Sequence, residues 1–189
     1  MSTKRLLTLP LSTTHVPSAH VSSEEAVAPA TAADFGLLLI RLTFGLLMAA
    51  HGAQKLFGLF GGPGLTTTGK GFAALGYHPG KLFAVIGGLS ESLGGLGLAL
   101  GLFTPLAAAA LIGVMINAMV TVTGAHGLWE TDGGVEYSVC IAVVALAVAA
   151  TGPGRLAADR FLPWGSGGWK PAGFALGLGG LAAAVTLAL

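Results

Sequence analysis

The sequence predicts an all-α integral membrane protein: a transmembrane four-helix bundle with a candidate fifth membrane helix at its C-terminal end and a short helix in an outer loop. The first supporting observation is the composition, because 53% of the 189 residues are hydrophobic and only 9% are charged. A soluble domain carries about 25% charged residues. The second is a mean hydropathy of +0.81. The third is a series of apolar stretches close to the roughly 20 residues that cross a bilayer.

The apolar stretches divide the chain. Asp34 is the expected N-cap of the first helix, and Gly152-Pro153-Gly154 stops the fourth. The predicted spans are 35–57, 82–102, 105–123, 135–151 and 172–189. We expect a disordered tail over residues 1–33, a four-helix membrane domain over 34–162, and a connector with a fifth membrane helix over 163–189. For the loop 61–80 we expect a short interfacial helix or re-entrant turn, with a plain surface loop as the alternative.

The composition and motifs of the sequence also argue against several classes of function. A net charge of +1 gives no reason to expect nucleic-acid binding, and one cysteine excludes an internal disulfide or a four-thiolate cluster. His51, His78 and His126 fall on one predicted side, but no two histidines have the spacing of a metal-binding pair, so we expect no metal site. The glycine-rich runs follow no strand and are therefore not phosphate loops.

The basic residues predict an orientation. Lys4 and Arg5 lie in the tail, and three more basic residues follow the fourth span. The 58–81 loop has two lysines, Lys70 and Lys81, and the 124–134 loop has no Lys or Arg and carries Glu130 and Asp132. By the positive-inside rule the N-terminus is predicted to be cytoplasmic, with 58–81 and 124–134 outside. Arg41, in the first turns of helix one, is expected to snorkel towards the interface. The three tryptophans lie near helix ends, where they are expected to act as interfacial anchors.

Polar residues from four predicted spans fall in the same outer half of the bilayer. His51 and Lys55 are one turn apart on helix one. Glu91 lies within helix two, Asn117 in the outer half of helix three, and Glu136 in the first turn of helix four. A carboxylate in hydrocarbon is costly and must be paired, protonated or functional. The pattern predicts a pocket that handles a ligand or protons.

Structural alternatives stand beside that interpretation. Lys55 and Glu91 could form a buried ion pair that only sets helix register. His51 and Asn117 could be hydrogen-bonded across helices without contacting a ligand. Glu136 could be a helix N-terminal anion stabilised by the helix dipole.

The residues also resemble a known family. The stretch His51–Gly58, HGAQKLFG, is similar to the HGxxKxFG signature of the DoxX family, and Glu91–Gly95 is similar to its ExxGG motif. The remaining matches, within a likeness covering about residues 36–161, are Arg41, Gly45, Phe72, Gly76, Gly101, Thr104, Glu136, Gly152–Gly154 and Asp159. The resemblance implies a membrane subunit of the kind associated with a thiosulfate:quinone oxidoreductase. Related members accompany oxidative-stress enzymes or other redox and maturation systems at the plasma membrane.

The leading hypothesis is a subunit of a quinone-linked redox system in a bacterial inner membrane, multi-pass and associated with a protein partner. Its outer pocket would take a quinone or a small sulfur oxyanion. Glu91 and His51 are the candidate catalytic residues, and Lys55, Asn117 and Glu136 are the candidate substrate-binding residues. The sequence shows no redox centre, so electrons would come from a bound cofactor or from the partner, and catalysis by this chain itself stays open, as does its oligomeric state.

Two alternatives remain. The chain could be a non-enzymatic scaffold or maturation factor for a redox partner. A small transporter is the weaker alternative, because the polar groups reach only halfway across the membrane, whereas transporter sites lie near the midplane with access from both sides.

Overall fold

The computed structural model describes residues 30–162 and 164–189, and within them the chain forms six α-helices and no strand. The helices are α1 Ala32–Phe57, α2 Gly64–Ala74, α3 Gly80–Leu100, α4 Thr104–Ala118, α5 Glu136–Thr151 and α6 Trp169–Ala188. Four helical segments are long and apolar enough to cross a membrane: α1, α3, α6, and α4 together with the short turns that continue it to His126. The predicted all-α membrane bundle is confirmed.

The short loop helix and the fifth apolar helix both form. Helix α2 occupies part of the 61–80 loop, and α6 covers 20 residues and packs mainly on α4. Helix α5 has only 16 residues, about 24 Å at 1.5 Å per residue, so it is shorter than each of the four membrane-length segments. Because α1, α4 and α6 run one way and α3 and α5 the other, the bundle has two distinct ends. We call the end where α1 and α6 finish the cavity end and the other the basal end.

Helix α1 begins earlier than predicted. Most of the predicted tail, residues 1–29, lies outside the described residues. The N-cap is Thr31 rather than Asp34, which corrects the sequence-based assignment. Asp34 is the third helical residue, and its carboxylate accepts hydrogen bonds from the Thr31 backbone N–H and hydroxyl at 2.8 Å each. In return, the Asp34 backbone N–H donates to the Thr31 hydroxyl oxygen at 3.3 Å, which completes a capping box.

Glycines hold α1 and α3 in backbone contact. A Cβ atom on Gly45 would lie 2.6 Å from the Gly95 carbonyl oxygen, and one on Gly95 would lie 2.5 Å from the Gly45 carbonyl oxygen. Only residues without a side chain allow two membrane helices to approach this closely. The remaining core is apolar and is built mainly by α4 and α5 around Met48 and Leu98: Ala108, Leu111, Ile112, Met115, Ile141, Ala145, Val148 and Ala149.

Arg41 does not snorkel, contrary to the sequence-based expectation. Its side chain is 1% exposed, and its Nη2 donates to the Leu156 carbonyl at 2.6 Å. The guanidinium packs against the Cα of Gly101, where any side chain would collide with it. Asp159 is also fully buried nearby, and its two oxygens accept the backbone N–H groups of Phe103 and Thr104. The loop after α5 folds over the basal end and removes Arg41 from the interface.

We predict that Gly45→Ala lowers the free energy of unfolding by about 1–3 kcal/mol, the usual cost of overpacking. The new methyl group would collide with α3 backbone, which cannot move without separating the helices. Gly36→Ala in the same helix is the matched control, because a Cβ there meets nothing within 4 Å. Unfolding of the purified protein in mixed micelles measures both. Equal stability of the two variants would contradict the close packing.

Candidate functional site

A cavity of about 430 Å³ opens at the cavity end of the bundle, between α1, α3, α4 and α6. Its walls are mainly apolar, and Phe72, Leu75 and Tyr77, from α2 and the turn after it, line one side. We call it the polar cavity because polar side chains from several elements reach it: His51, Lys55, Tyr77, Ser90, Glu91, Asn117, Thr121, Thr123, Tyr137, Ser138 and Thr186. Four of the five predicted site residues, His51, Lys55, Glu91 and Asn117, therefore line one cavity.

Lys55 and Glu91 form a bidentate ion pair across α1 and α3. The Lys55 Nζ lies 2.8 Å from Oε1 and 2.6 Å from Oε2 of Glu91. The side chain of Glu91 is only 4% exposed, whereas that of Lys55 is 26% exposed. A second glycine contact brings these helices together here, since a Cβ on Gly52 would lie 2.5 Å from the Gly88 carbonyl oxygen. Among the described residues that line the cavity, Lys55 and Glu91 are the only Lys, Arg, Asp or Glu, so the charges of these groups cancel.

His51 lies one turn before Lys55 and stacks on Tyr137 of α5. The ring centroids are 5.6 Å apart, with 27° between the planes. The His51 Nδ1 lies 2.9 Å from the Leu47 carbonyl oxygen. A carbonyl only accepts, so this bond assigns the proton to Nδ1 and leaves Nε2 of the neutral ring as an acceptor. His51 can therefore take a proton or accept a hydrogen bond at Nε2, and it donates from Nε2 only when it is charged.

Asn117 of α4 lines the cavity and links three parts of the chain. Its Oδ1 accepts a hydrogen bond from the Tyr77 hydroxyl at 3.0 Å, and its Nδ2 donates to the Gly113 carbonyl at 2.9 Å. The Thr186 hydroxyl of α6 lies 3.1 Å from the same Oδ1, and its single hydrogen is shared with the Ala182 carbonyl at 2.8 Å. These contacts fix the orientation of the amide and tie α4 to α6.

Glu136 is not among the residues that line the cavity. Its Oε2 accepts the backbone N–H of Glu130 at 3.0 Å and so holds the loop that precedes α5. The next residue, Tyr137, reaches the cavity instead, and its hydroxyl lies 3.7 Å from the Met48 sulfur. Helix α5 thus presents an aromatic ring to the cavity and a carboxylate to the loop.

Sequence reasoning did not single out Tyr77, Tyr137 or Thr186 as site residues. Thr186 had a usable signal, because it is the only polar side chain in the last apolar stretch, 172–189. Tyr77 had a weaker one, as the last aromatic residue of the apolar part of the 61–80 loop. Tyr137 had none beyond its place beside Glu136.

These features define a multi-pass α-helical membrane protein whose helices surround a small, mostly apolar cavity with a few polar groups. Residues 36–124 match the model of the DoxX family. This part of the chain is therefore a DoxX domain, and the resemblance seen in the sequence is confirmed over α1 to α4. The match ends before α5 and does not reach Glu136 or Asp159. No curated protein and no solved structure matches the chain.

We predict that removing Lys55 and removing Glu91 lower the free energy of unfolding by different amounts. Lys55→Met leaves the nearly buried Glu91 unpaired and is expected to cost about 3–5 kcal/mol of unfolding free energy, whereas Glu91→Leu leaves a partly exposed ammonium and is expected to cost about 1–3 kcal/mol. The double variant Lys55→Met/Glu91→Leu should lie within about 1 kcal/mol of the wild type. A double-mutant cycle in mixed micelles measures the coupling. Additive effects of the two single changes would contradict a coupled pair.

Proposed function

We propose that this protein is a membrane subunit of a quinone-linked redox system and that the polar cavity receives the quinone ring. The observation that carries the proposal is the combination of apolar walls with polar groups from three helices. His51 and the Lys55–Glu91 pair lie on α1 and α3, and Asn117 lies on α4. Small-molecule sites have this composition and volumes of roughly 300–1,000 Å³, a range that includes the 430 Å³ of this cavity.

The charges favour a quinone over a small sulfur oxyanion. Lys55 is the only lysine or arginine among the described residues lining the cavity, and both oxygens of Glu91 already neutralise it. An anion would have to displace that carboxylate or enter an apolar space without a counter-charge, and burying an unpaired charge is expensive. A neutral, flat ring with two carbonyl oxygens carries no such cost.

A bound quinone would supply two-electron, two-proton redox chemistry, with electrons delivered by the partner. In this proposal His51 would take up a proton at Nε2 and pass it to a ring oxygen as the quinone is reduced, and Glu91 would be the second proton-handling group. Lys55 donates to a ring oxygen through a hydrogen of its ammonium not used by Glu91. Asn117, fixed by Tyr77, positions the far side of the ring. Glu136 acts indirectly, by holding the loop that precedes Tyr137.

The proposal includes an orientation in a bacterial inner membrane, with the N-terminus in the cytoplasm. The exposed charged side chains at the basal end, among the described residues, are Arg155, Arg160 and Lys170. An excess of basic residues is typical of the cytoplasmic side. The polar cavity would then open towards the outer leaflet, where a membrane quinone has access from the lipid.

One observation favours the second candidate, a scaffold for a redox partner. Gly173, Gly177 and Gly180 follow one another along α6, and a Cβ on any of them would meet nothing within 4 Å. Such small-residue spacing is typical of a helix that packs closely on another membrane helix. A partner helix could bind there without any chemistry in the polar cavity.

The quinone proposal is tested by filling the cavity. Ala110→Leu adds bulk to a wall residue, and Ala147→Leu adds the same bulk to an exposed residue of α5 that does not line the cavity. A short-chain quinone titrated into protein in nanodiscs should bind at least about tenfold more weakly to the Ala110 variant, a loss of about 1.4 kcal/mol. The Ala147 variant should bind as the wild type does. Quinone binding that is absent from the wild type, or equal in both variants, would refute the proposal.

The scaffold alternative is separated by the double variant Lys55→Met/Glu91→Leu, assayed with the partner system present. If the cavity is the site, the variant folds but quinone-dependent electron transfer through the partner is lost. If the chain is a scaffold, partner activity stays at the wild-type level.

A further inference from the structure

A second depression lies at the basal end, between the starts of α4 and α6. Its volume is about 850 Å³, and it is open to the surroundings of the bundle. We call it the aromatic groove, because four aromatic rings line it together with Leu106 and Lys170: Phe103, Trp164, Trp169 and Phe174. It shares no lining residue with the polar cavity.

The walls of the groove are apolar and are not covered by the described protein. Phe103, Leu106 and Phe174 are each about half exposed, and Trp169 is 91% exposed. Phe103 is held in place by stacking on Trp164, with ring centroids 5.9 Å apart. Because α4 and α6 both belong to membrane-length segments, these walls face hydrocarbon near one edge of the bilayer, where acyl chains are the available occupant.

The charge around the groove is positive. Lys170 lies in its lining and is exposed, as are Arg155 and Arg160 at the same end. Among the described residues of this end, the acidic side chains are those of Asp34 and Asp159. Both are buried, and their carboxylates accept hydrogen bonds from backbone N–H groups. Over the part of the chain that the structure describes, the exposed charges at this end are therefore all basic, and they complement an anionic head group.

The two helix starts that border the groove differ in how their N–H groups are satisfied. Asp159 accepts the N–H groups of Phe103 and Thr104 at the start of α4. Helix α6 begins after Gly168, which has no side chain to cap it. Pro171 has no N–H, so the first turn offers the N–H groups of Trp169 and Lys170, which add to the attraction for a phosphate.

We propose that the aromatic groove binds a phospholipid with an anionic head group. The phosphate lies at Lys170 and the first turn of α6, and one acyl chain lies against Phe103, Leu106 and Phe174. The lipid comes from the leaflet at the basal end. This site is independent of the quinone proposal, because it lies at the other end of the bundle.

Native mass spectrometry of the full chain, with equal amounts of phosphatidylglycerol and phosphatidylcholine in the detergent, tests the site. The wild type should retain phosphatidylglycerol preferentially. Lys170→Gln should weaken its binding about fivefold, the effect of one basic residue near an anionic lipid, and should leave phosphatidylcholine unchanged. Lys81→Gln is the matched control, since Lys81 is an exposed lysine at the start of α3, at the cavity end.

A second pair of variants tests the acyl-chain contact, and a third arm tests the source of the phosphate. Phe174→Ala should weaken phosphatidylglycerol binding severalfold, whereas Phe57→Ala, at an exposed phenylalanine of the cavity end, should not. Millimolar inorganic phosphate at constant ionic strength should not displace the lipid. Equal losses in the Lys170 and Lys81 variants, retention of both lipids alike, or displacement by free phosphate would each overturn the proposal.

Discussion

The ion pair between Lys55 and Glu91 sets the chemistry of the cavity end of this protein. A carboxylate within the hydrocarbon region costs several kcal/mol unless it is paired, and this one is paired through both oxygens. Glycines at positions 45, 52, 88 and 95 let α1 and α3 touch along their backbones, and this close approach places the two side chains within reach of each other. Helix packing and site chemistry are therefore parts of one arrangement: the glycines that close the helix interface also fix where the paired charges lie.

The two ends of the bundle contain buried charges of different kinds. At the basal end, Arg41 and Asp159 are almost wholly enclosed, line none of the described cavities, and satisfy backbone groups of the loop after α5 and the α3–α4 turn. At the cavity end, Lys55 and Glu91 line a space large enough for a ligand. A sealed charge that binds backbone stabilises loop geometry, whereas a charge beside an open cavity is available to a ligand. Of these two pairs of buried charges, only Lys55 and Glu91 can therefore act on a bound ligand.

The sequence predicted the helices well because apolar length is nearly sufficient to define a membrane span. It also predicted the grouping of His51, Lys55, Glu91 and Asn117, since helical periodicity and alternating direction fix both face and depth. It was wrong about Arg41, because snorkelling assumes an open interface, and here a loop more than a hundred residues away in sequence covers the side chain. It also did not place Tyr77 and Tyr137 in the cavity. Their positions depend on how a loop folds back and on how α5 rotates, which are tertiary effects without a local sequence signal.

The cavity is not built by the DoxX domain alone. The family match covers residues 36–124, which includes His51, Lys55, Glu91 and Asn117, and these supply the ionic pair and the central amide. Tyr137 on α5, and Ala182 and Thr186 on α6, complete the wall from outside that stretch. The chemistry of the site thus lies in the matched domain, while part of its shape comes from segments beyond it. A ligand that contacts both would be recognised through its polar atoms by the first and through its outline by the second.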